Sequence, residues 1–208
     1  MARGRSPAYQ DQREMILSRA AQLFAERGFA ATSMNEVAEA CGMSKPSLYH
    51  YFRDKYALLV NIAEGHVTRL ESVVDQVRRE PLDPKARLER LIRRFVEEYA
   101  NARHAHQVLT GDVRFLDDED RERVLAGERR VVAGFADTII ALRPELDTAR
   151  MAKPLTMLLF GMINWMFTWL KPDGELTYEA MAPVVADLFF GGIPAVSLSP
   201  RSEPSERA

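Results

Sequence analysis

Ser44, Lys45, Ser47, Tyr49 and His50 crowd together just behind a glycine, Gly42, and ahead of Tyr51 and Phe52. Side chains of these types act by hydrogen bonding and charge. The Lys45 ammonium suits a phosphate oxygen or the acceptor edge of guanine, and the Ser47 and Tyr49 hydroxyls and the His50 imidazole suit a phosphate or a base edge. The residues around Gly42 explain how such a set would be presented. Ser33-x-x-Glu36 is a capping box that starts a short helix. Gly42 ends that helix, because glycine adopts φ > 0 at low cost. Ser44 caps a second helix whose first turn accepts Pro46. Val37, Ala38 and Leu48 supply the apolar faces by which the two helices pack. Such a pair is a helix-turn-helix, and the N-terminal half of its second helix is the part that enters the DNA major groove. Thr32 and Ser33, at the start of the first helix, bring backbone N–H groups toward a phosphate. Lys55 adds a cation, and Arg3 and Arg5 form an arm for the backbone or minor groove. The competing reading is a structural hairpin whose polar residues are merely solvated.

The elements that must position this set are helices. Leu17, Ala20, Ala21 and Phe24 recur at helical spacing and predict a helix over about 11–27, stopped by Gly28. Beyond the helix-turn-helix, apolar periodicity predicts six more: about 55–79, 83–99, 107–116, 117–142, 148–170 and 177–190. Pro81, Pro84 and Pro144 punctuate them, and Pro172-Asp-Gly174 makes a turn. The fold is therefore all-α. A three-helix DNA-binding head occupies residues 1–55 and a helical ligand-binding and dimerisation body of about six helices occupies 56–196. The Ser-, Pro- and charge-rich residues 197–208 read as a disordered tail. The helix starting near Lys55 joins head to body.

Composition fits this division. The 208 residues are 47% hydrophobic and 28% charged, with a net charge of −2, as in a globular protein able to bury a core. The first 55 residues hold eight basic against six acidic residues, while the remainder holds 20 against 24. A weakly basic head on an acidic body fits nucleic-acid contact at one end. Cys41 is the one cysteine, which excludes a disulfide framework within the chain, and no Cys/His array has zinc spacing. No apolar run reaches transmembrane length and the first residues form no signal-peptide core, so a cytoplasmic location without membrane association is expected. Glu-x-x-His, Gly-x-x-x-x-Gly-Lys, Gly-x-Gly-x-x-Gly and Gly-x-Ser-x-Gly are all missing. Catalytic and metal-ligating residues are accordingly expected to be none, and the chain is not expected to be an enzyme or to carry a cofactor. His104 and His106 read as solvated loop residues, and the acidic run 117–120 as a helix start.

The pattern Gly28-Phe-x-x-Thr-Ser-Met-x-x-Val-Ala-x-x-Cys-Gly-Met-Ser-x-Pro-Ser-Leu-Tyr-x-Tyr-Phe-x-x-Lys55-x-x-Leu58 resembles the TetR family of bacterial one-component regulators. That resemblance implies a head that binds double-stranded operator DNA as a dimer, and a body that dimerises and holds a small effector. At matching positions it assigns DNA contact to Thr32, Ser33, Ser44, Lys45, Ser47, Tyr49, His50 and Lys55. The pattern departs from relatives at Pro46, where Gly or Ala is common, which bears on base readout at that point.

A second stretch, Gly161-Met-Ile-Asn-Trp-Met-Phe-Thr-Trp-Leu-Lys-Pro-Asp-Gly-Glu-Leu-Thr177, followed by Ala182-Pro-Val-Val-Ala-Asp-Leu-Phe-Phe-Gly191, resembles a branch of the family that responds to acyl-CoA thioesters. It implies such a thioester as effector and a repressor released by it from a pseudo-palindromic operator. The candidate effector contacts are Phe95, Tyr99, Phe115, Phe160, Asn164 and Trp165. The Met-rich run around them supplies adaptable apolar surface, and Asn164 within it needs a hydrogen-bond partner if buried. The same aromatic and methionine stripe also reads as plain core or as a dimer interface. Two apolar helices ending the chain would pair with their copies in a homodimer. The alternative function is a ligand-independent dimeric DNA-binding protein whose body is only a dimerisation scaffold, distinguished by a filled core in place of a pocket.

Overall fold

The computed structural model describes residues 7–170 and 174–196. Arg3, Arg5, the Pro172–Asp173 part of the expected turn and the expected tail lie outside these residues. Among the described residues there are ten α-helices and no strand: α1 (Pro7–Arg27), α2 (Met34–Ala40), α3 (Lys45–Tyr49), α4 (Lys55–Arg79), α5 (Pro84–Asn101), α6 (Arg103–Asp112), α7 (Asp118–Leu142), α8 (Glu145–Thr148), α9 (Ala152–Trp169) and α10 (Tyr178–Gly192). The all-α expectation holds. None of these helices is long and apolar enough to cross a membrane.

Three boundaries differ from the periodicity. α1 begins at Pro7, where proline's fixed φ favours a first helical position. α6 begins at Arg103, not near Gln107, and ends at Asp112 in a 3-10 turn over Val113–Phe115. The stretch expected to open α9 near Thr148 instead holds the short α8. Its end is a Schellman turn in which Met151 N–H donates to Leu146 O (2.9 Å) and Arg150 N–H to Asp147 O (2.9 Å). Arg150 takes φ 55 there, a position glycine usually fills, so no glycine marks the break.

The chain divides into two compact units. The first comprises the described residues up to Ser72 together with Glu98–Arg129, and the second comprises Val73–Glu97 and the described residues from Arg130 on. Compactness follows packing, and packing gathers α6 with the helix-turn-helix, because α6 lies against α1. The first unit's core joins Ile16, Ala20 and Phe24 of α1 with Val37, Ala38, Leu48, Phe52, Leu58 and Leu59, and with Val108, Leu109, Leu116 and Val124. In the second unit, Phe95 of α5 and Phe135 of α7 are fully buried. They meet edge-on with centroids 4.7 Å apart, and Phe160 of α9 lies 4.9 Å from Phe135 and 5.9 Å from Phe95. Just after α10, Arg143 donates to Ile193 O (2.7 Å).

Candidate nucleic-acid interface

Local hydrogen bonds build the helix-turn-helix as its sequence dictates. Ser33 accepts from Glu36 N–H (3.3 Å) while its own N–H donates to Glu36 Oε2 (2.7 Å), completing the capping box. Arg27 adds an ion pair to Glu36 at 2.9 Å. Capping bonds and this guanidinium hold the Glu36 carboxyl below the usual carboxylate range, the Ser33 bonds contributing most. α2 ends in a Schellman turn, Met43 N–H to Ala38 O (3.0 Å) and Gly42 N–H to Glu39 O (2.9 Å), with Gly42 at φ 63. Ser44 caps α3 by accepting from Ser47 N–H (3.3 Å), and the two hydroxyls share a bond of 2.8 Å.

On this frame Leu48 is fully buried, and Lys45, Tyr49 and His50 project into solvent beside the half-buried Ser47. Tyr49 is 43% exposed, a large aromatic face that the fold itself leaves unused. Behind α3, Tyr51 stacks on Tyr9 of α1 at 4.8 Å, and Arg13 sits over the Phe52 ring while donating to Asn61. The short α3 is thus anchored from α1 and α4, and its exposed side chains sit on a rigid base.

Two of the eight expected contacts face inward. Thr32 is buried, and its hydroxyl donates to Gly28 O (2.9 Å). The Lys55 ammonium donates to Phe29 O (2.7 Å) and Ala30 O (3.1 Å) and lies 4.6 Å from the Phe29 ring centre. Ser33 and Ser44 are exposed, with their hydroxyls engaged in capping.

The six expected effector contacts fall at separate places. Phe95 and Phe160 meet in the aromatic cluster of the second unit. Asn164, one turn beyond Phe160, is half-buried, and its Oδ1 is shielded from solvent without a donor among the described residues. Trp165 is 67% exposed, and Met157, Leu158 and Trp169 of α9 and Val184 and Leu188 of α10 are exposed as well. Tyr99 and Phe115 belong to the first unit. Tyr99 stacks on His106 at 3.7 Å, and Phe115 lies 5.3 Å from Phe29. A cleft of about 80 Å³ in the second unit is lined by other residues, among them Val74, Arg78, Arg87, Asp137 and Thr138.

His106 corrects the sequence reading: it is buried, because α6 starts four residues earlier than expected and turns this face inward. Its Nδ1 lies 3.3 Å from Nε2 of His66, which is fully buried on α4. Burial, then the neighbouring His106 and Arg69, lower the His66 imidazole to about 3, and burial lowers His106 to about 4. Burial first, then the Glu128 carboxylate, push the Tyr99 phenol up, and burial pushes up Glu128 itself. The available signal for His66 is its place in the α4 stripe of Ile62, Ala63, Val67 and Leu70. The acidic run 117–120 does start a helix, Asp117 Oδ1 accepting from Asp120 N–H (2.8 Å), while Asp120 also accepts from the Tyr56 hydroxyl (2.6 Å). Among the described residues, no group of three or more His, Cys, Asp or Glu could hold a metal ion.

Comparison with known proteins agrees with this architecture. Residues 16–62 match the family model for bacterial regulatory proteins of the tetR family, and residues 81–193 match that for the tetracyclin repressor-like C-terminal domain. A crystal structure of a TetR-family transcriptional regulator from Bordetella parapertussis is similar, with a TM-score of 0.82 and 36% identity over 89% of this chain and 97% of that one. AibR, crystallised with isovaleryl coenzyme A and operator DNA, is similar with a TM-score of 0.72 and 26% identity over 85% of this chain and 97% of its own. The transcriptional activator FasR of Mycolicibacterium smegmatis is 24% identical over 95% of this chain and 90% of its own length.

Proposed function

The chain belongs to the TetR family of bacterial regulatory proteins and is a TetR-type transcriptional regulator, and we propose that it acts as a dimeric repressor, released from a pseudo-palindromic operator by an acyl-CoA thioester. The observation that carries the DNA half is the capped α3, which buries Leu48 and leaves Lys45, Tyr49 and His50 in water with Ser47 at their edge. These four are placed in the major groove, with Ser33 and Ser44 toward the flanking phosphates. Thr32 contributes through its backbone, since its hydroxyl is engaged. Repression needs only that a bound dimer occupy the promoter, whereas activation needs a further productive contact. Because FasR is named an activator, the sign is a question for a reporter assay. Work on the bacterial chromosome places the protein in the cytoplasm, acting by binding and not by catalysis.

The dimer is placed on the apolar surface of α9 and α10, where Leu158, Trp165 and Leu188 are each about two-thirds exposed. An isologous four-helix contact would cover it. The effector is placed at the Phe95, Phe135 and Phe160 cluster with Asn164, whose shielded acceptor would receive an amide N–H of the thioester's pantetheine arm. AibR, a relative solved with an acyl-CoA and operator DNA together, supports this class. Tyr99, Phe115 and Trp165 would then respond to the effector from outside that cluster. A specific observation favours the scaffold reading as well: the three rings already pack against one another, with centroids 4.7 and 4.9 Å apart.

Gel-shift binding of the purified protein to DNA flanking its own gene tests both. Binding that is weakened by Lys45→Ala and Tyr49→Ala, and reversed by an acyl-CoA thioester but not by free CoA or free acid, is the expected result. Binding that no thioester reverses would leave the scaffold reading. Unchanged binding by both variants would refute the α3 assignment.

A further inference from the structure

The four residues Gly28-Phe29-Ala30-Ala31 carry the chain from α1 toward Ser33, the cap of α2, so their position sets where the helix-turn-helix points. They are held with unusual thoroughness, and all the residues holding them lie in the first unit. The Lys55 ammonium of α4 takes the carbonyls of both Phe29 and Ala30, at 2.7 and 3.1 Å, and covers the Phe29 ring. The C-terminal end of α6 brings Asp112, which is only 8% exposed; burial raises its carboxyl, and Arg114 and then the Phe29 N–H act against that rise. Phe29 is therefore held by a cation on its carbonyl, a charge-assisted contact, with the Asp112 carboxyl near its N–H. The 3-10 turn after α6 adds the Phe115 ring, 5.3 Å from Phe29, with the Arg114 guanidinium 5.0 Å from the Phe115 ring centre. Phe24 closes the set edge-on at 5.3 Å.

We propose that Lys55, Asp112 and Phe115 are positioning residues for DNA binding, a clasp through which α4 and the end of α6 fix the α1–α2 turn and hence the direction of α2 and α3. Lys55, by its type and place in sequence a candidate phosphate contact, acts here on carbonyls; Phe115, by its type a candidate effector contact, acts on Phe29. The consequence is that a displacement of α6 reaches the recognition helix by a polar route as well as through core packing. The inference rests on the DNA-binding reading and adds to it a division of labour between residues that touch DNA and residues that aim it.

Salt dependence separates the two roles. A side chain that neutralises a phosphate contributes about one unit to the slope of log K against log salt, whereas a residue that only aims the head lowers affinity at every salt concentration without changing that slope. Operator binding by the full-length protein is measured across a salt series for wild type, Lys45→Ala, Lys55→Met, Lys55→Arg, Phe115→Ala and Asp112→Leu. Lys55→Met is expected to weaken binding by about tenfold with the wild-type slope, since losing charge-assisted bonds shifts the head away from its competent orientation. Lys55→Arg, which keeps the donors, is expected to restore most of the affinity, and Lys45→Ala to lower the slope. Phe115→Ala, at a site 38% exposed and so tolerant of truncation, is expected to weaken effector-free binding severalfold, again with an unchanged slope. This keeps the test valid should Lys55→Met or Asp112→Leu fold poorly. A slope reduced by about one for Lys55→Met would assign Lys55 to a phosphate and overturn the clasp. Wild-type affinity in Phe115→Ala would do the same. A wild-type protein that binds no operator sinks the DNA-binding reading itself, and the clasp with it.

Discussion

Lowering the pH from about 7 to about 5 should destabilise this fold by about 4 kcal/mol through two residues, His66 and His106. Both are buried, 3.3 Å apart, on α4 and α6. Arg69 Nη2 lies 3.4 Å from His66 Nδ1, which makes that nitrogen the acceptor. His66 therefore carries its proton on Nε2 and donates to His106 Nδ1, leaving the His106 proton on its own Nε2. A second proton on either ring would remove an acceptor and bury a charge. Burial accordingly holds the rings at about 3 and about 4, against about 6.5 in the unfolded chain. Because the native pKa values are depressed, the unfolded state binds more protons. Stability is complete above about pH 6.5 and falls as the pH drops toward about 4, where the native rings begin to charge as well. At about pH 5 each unfolded imidazole is almost fully charged and each native one is neutral, which costs about 2 kcal/mol per histidine. Against a total stability of roughly 5–15 kcal/mol, that is a large share. Urea unfolding at fixed protein concentration across this range measures it. His106→Phe, which keeps a ring against Tyr99, should reduce the linked proton uptake from nearly two to nearly one. A wild-type stability that stays level or rises as the pH falls through about 6.5 would refute the burial argument.

Three further outcomes follow from local geometry. A Cβ at Gly134 of α7 would overlap Val74 Cγ1 of α4, so Gly134→Ala should cost about 1–3 kcal/mol despite its better helix propensity; adding Val74→Ala should recover much of that loss in thermal unfolding. Ser44→Ala removes the cap of a helix only five residues long, and should cost about 1 kcal/mol while weakening operator binding, as read by denaturation and gel shift on the same samples. Leu158→Glu together with Trp165→Glu places carboxylates on the exposed face of α9; sedimentation should find a monomer if that face is the dimer contact, and an unchanged dimer would move the interface elsewhere.

Much of this fold is legible in the amino-acid sequence. The capping box at Ser33–Glu36, the turn at Gly42 and the cap at Ser44 are contacts between residues three to five apart, so their chemistry is written locally. The same is true of α4, whose bounds follow from its apolar stripe and the prolines beyond it. Where local marks are missing, periodicity misleads. Arg150 adopts φ 55 in a Schellman turn without glycine, so the reading opens α9 near Thr148, at the end of α8 and ahead of the break. α6 begins at Arg103 with no side-chain cap, so periodicity places its start too late and leaves His106 in a loop.

What the sequence alone determined is the kind of molecule: an all-helical chain that presents Lys45, Ser47, Tyr49 and His50 on a short capped helix and leaves two apolar helices at its end. These properties rest on periodicity, capping and turn chemistry, all short-range. What only the tertiary structure decided is which polar groups face outward. Lys45 and Lys55 are the same residue type ten positions apart, yet one is left in solvent while the other closes on the carbonyls of Phe29 and Ala30. His66 and His106 are forty positions apart and share a buried bond. Which groups a side chain meets depends on how the helices dock, and docking is set by the sum of many distant apolar contacts that no local pattern encodes.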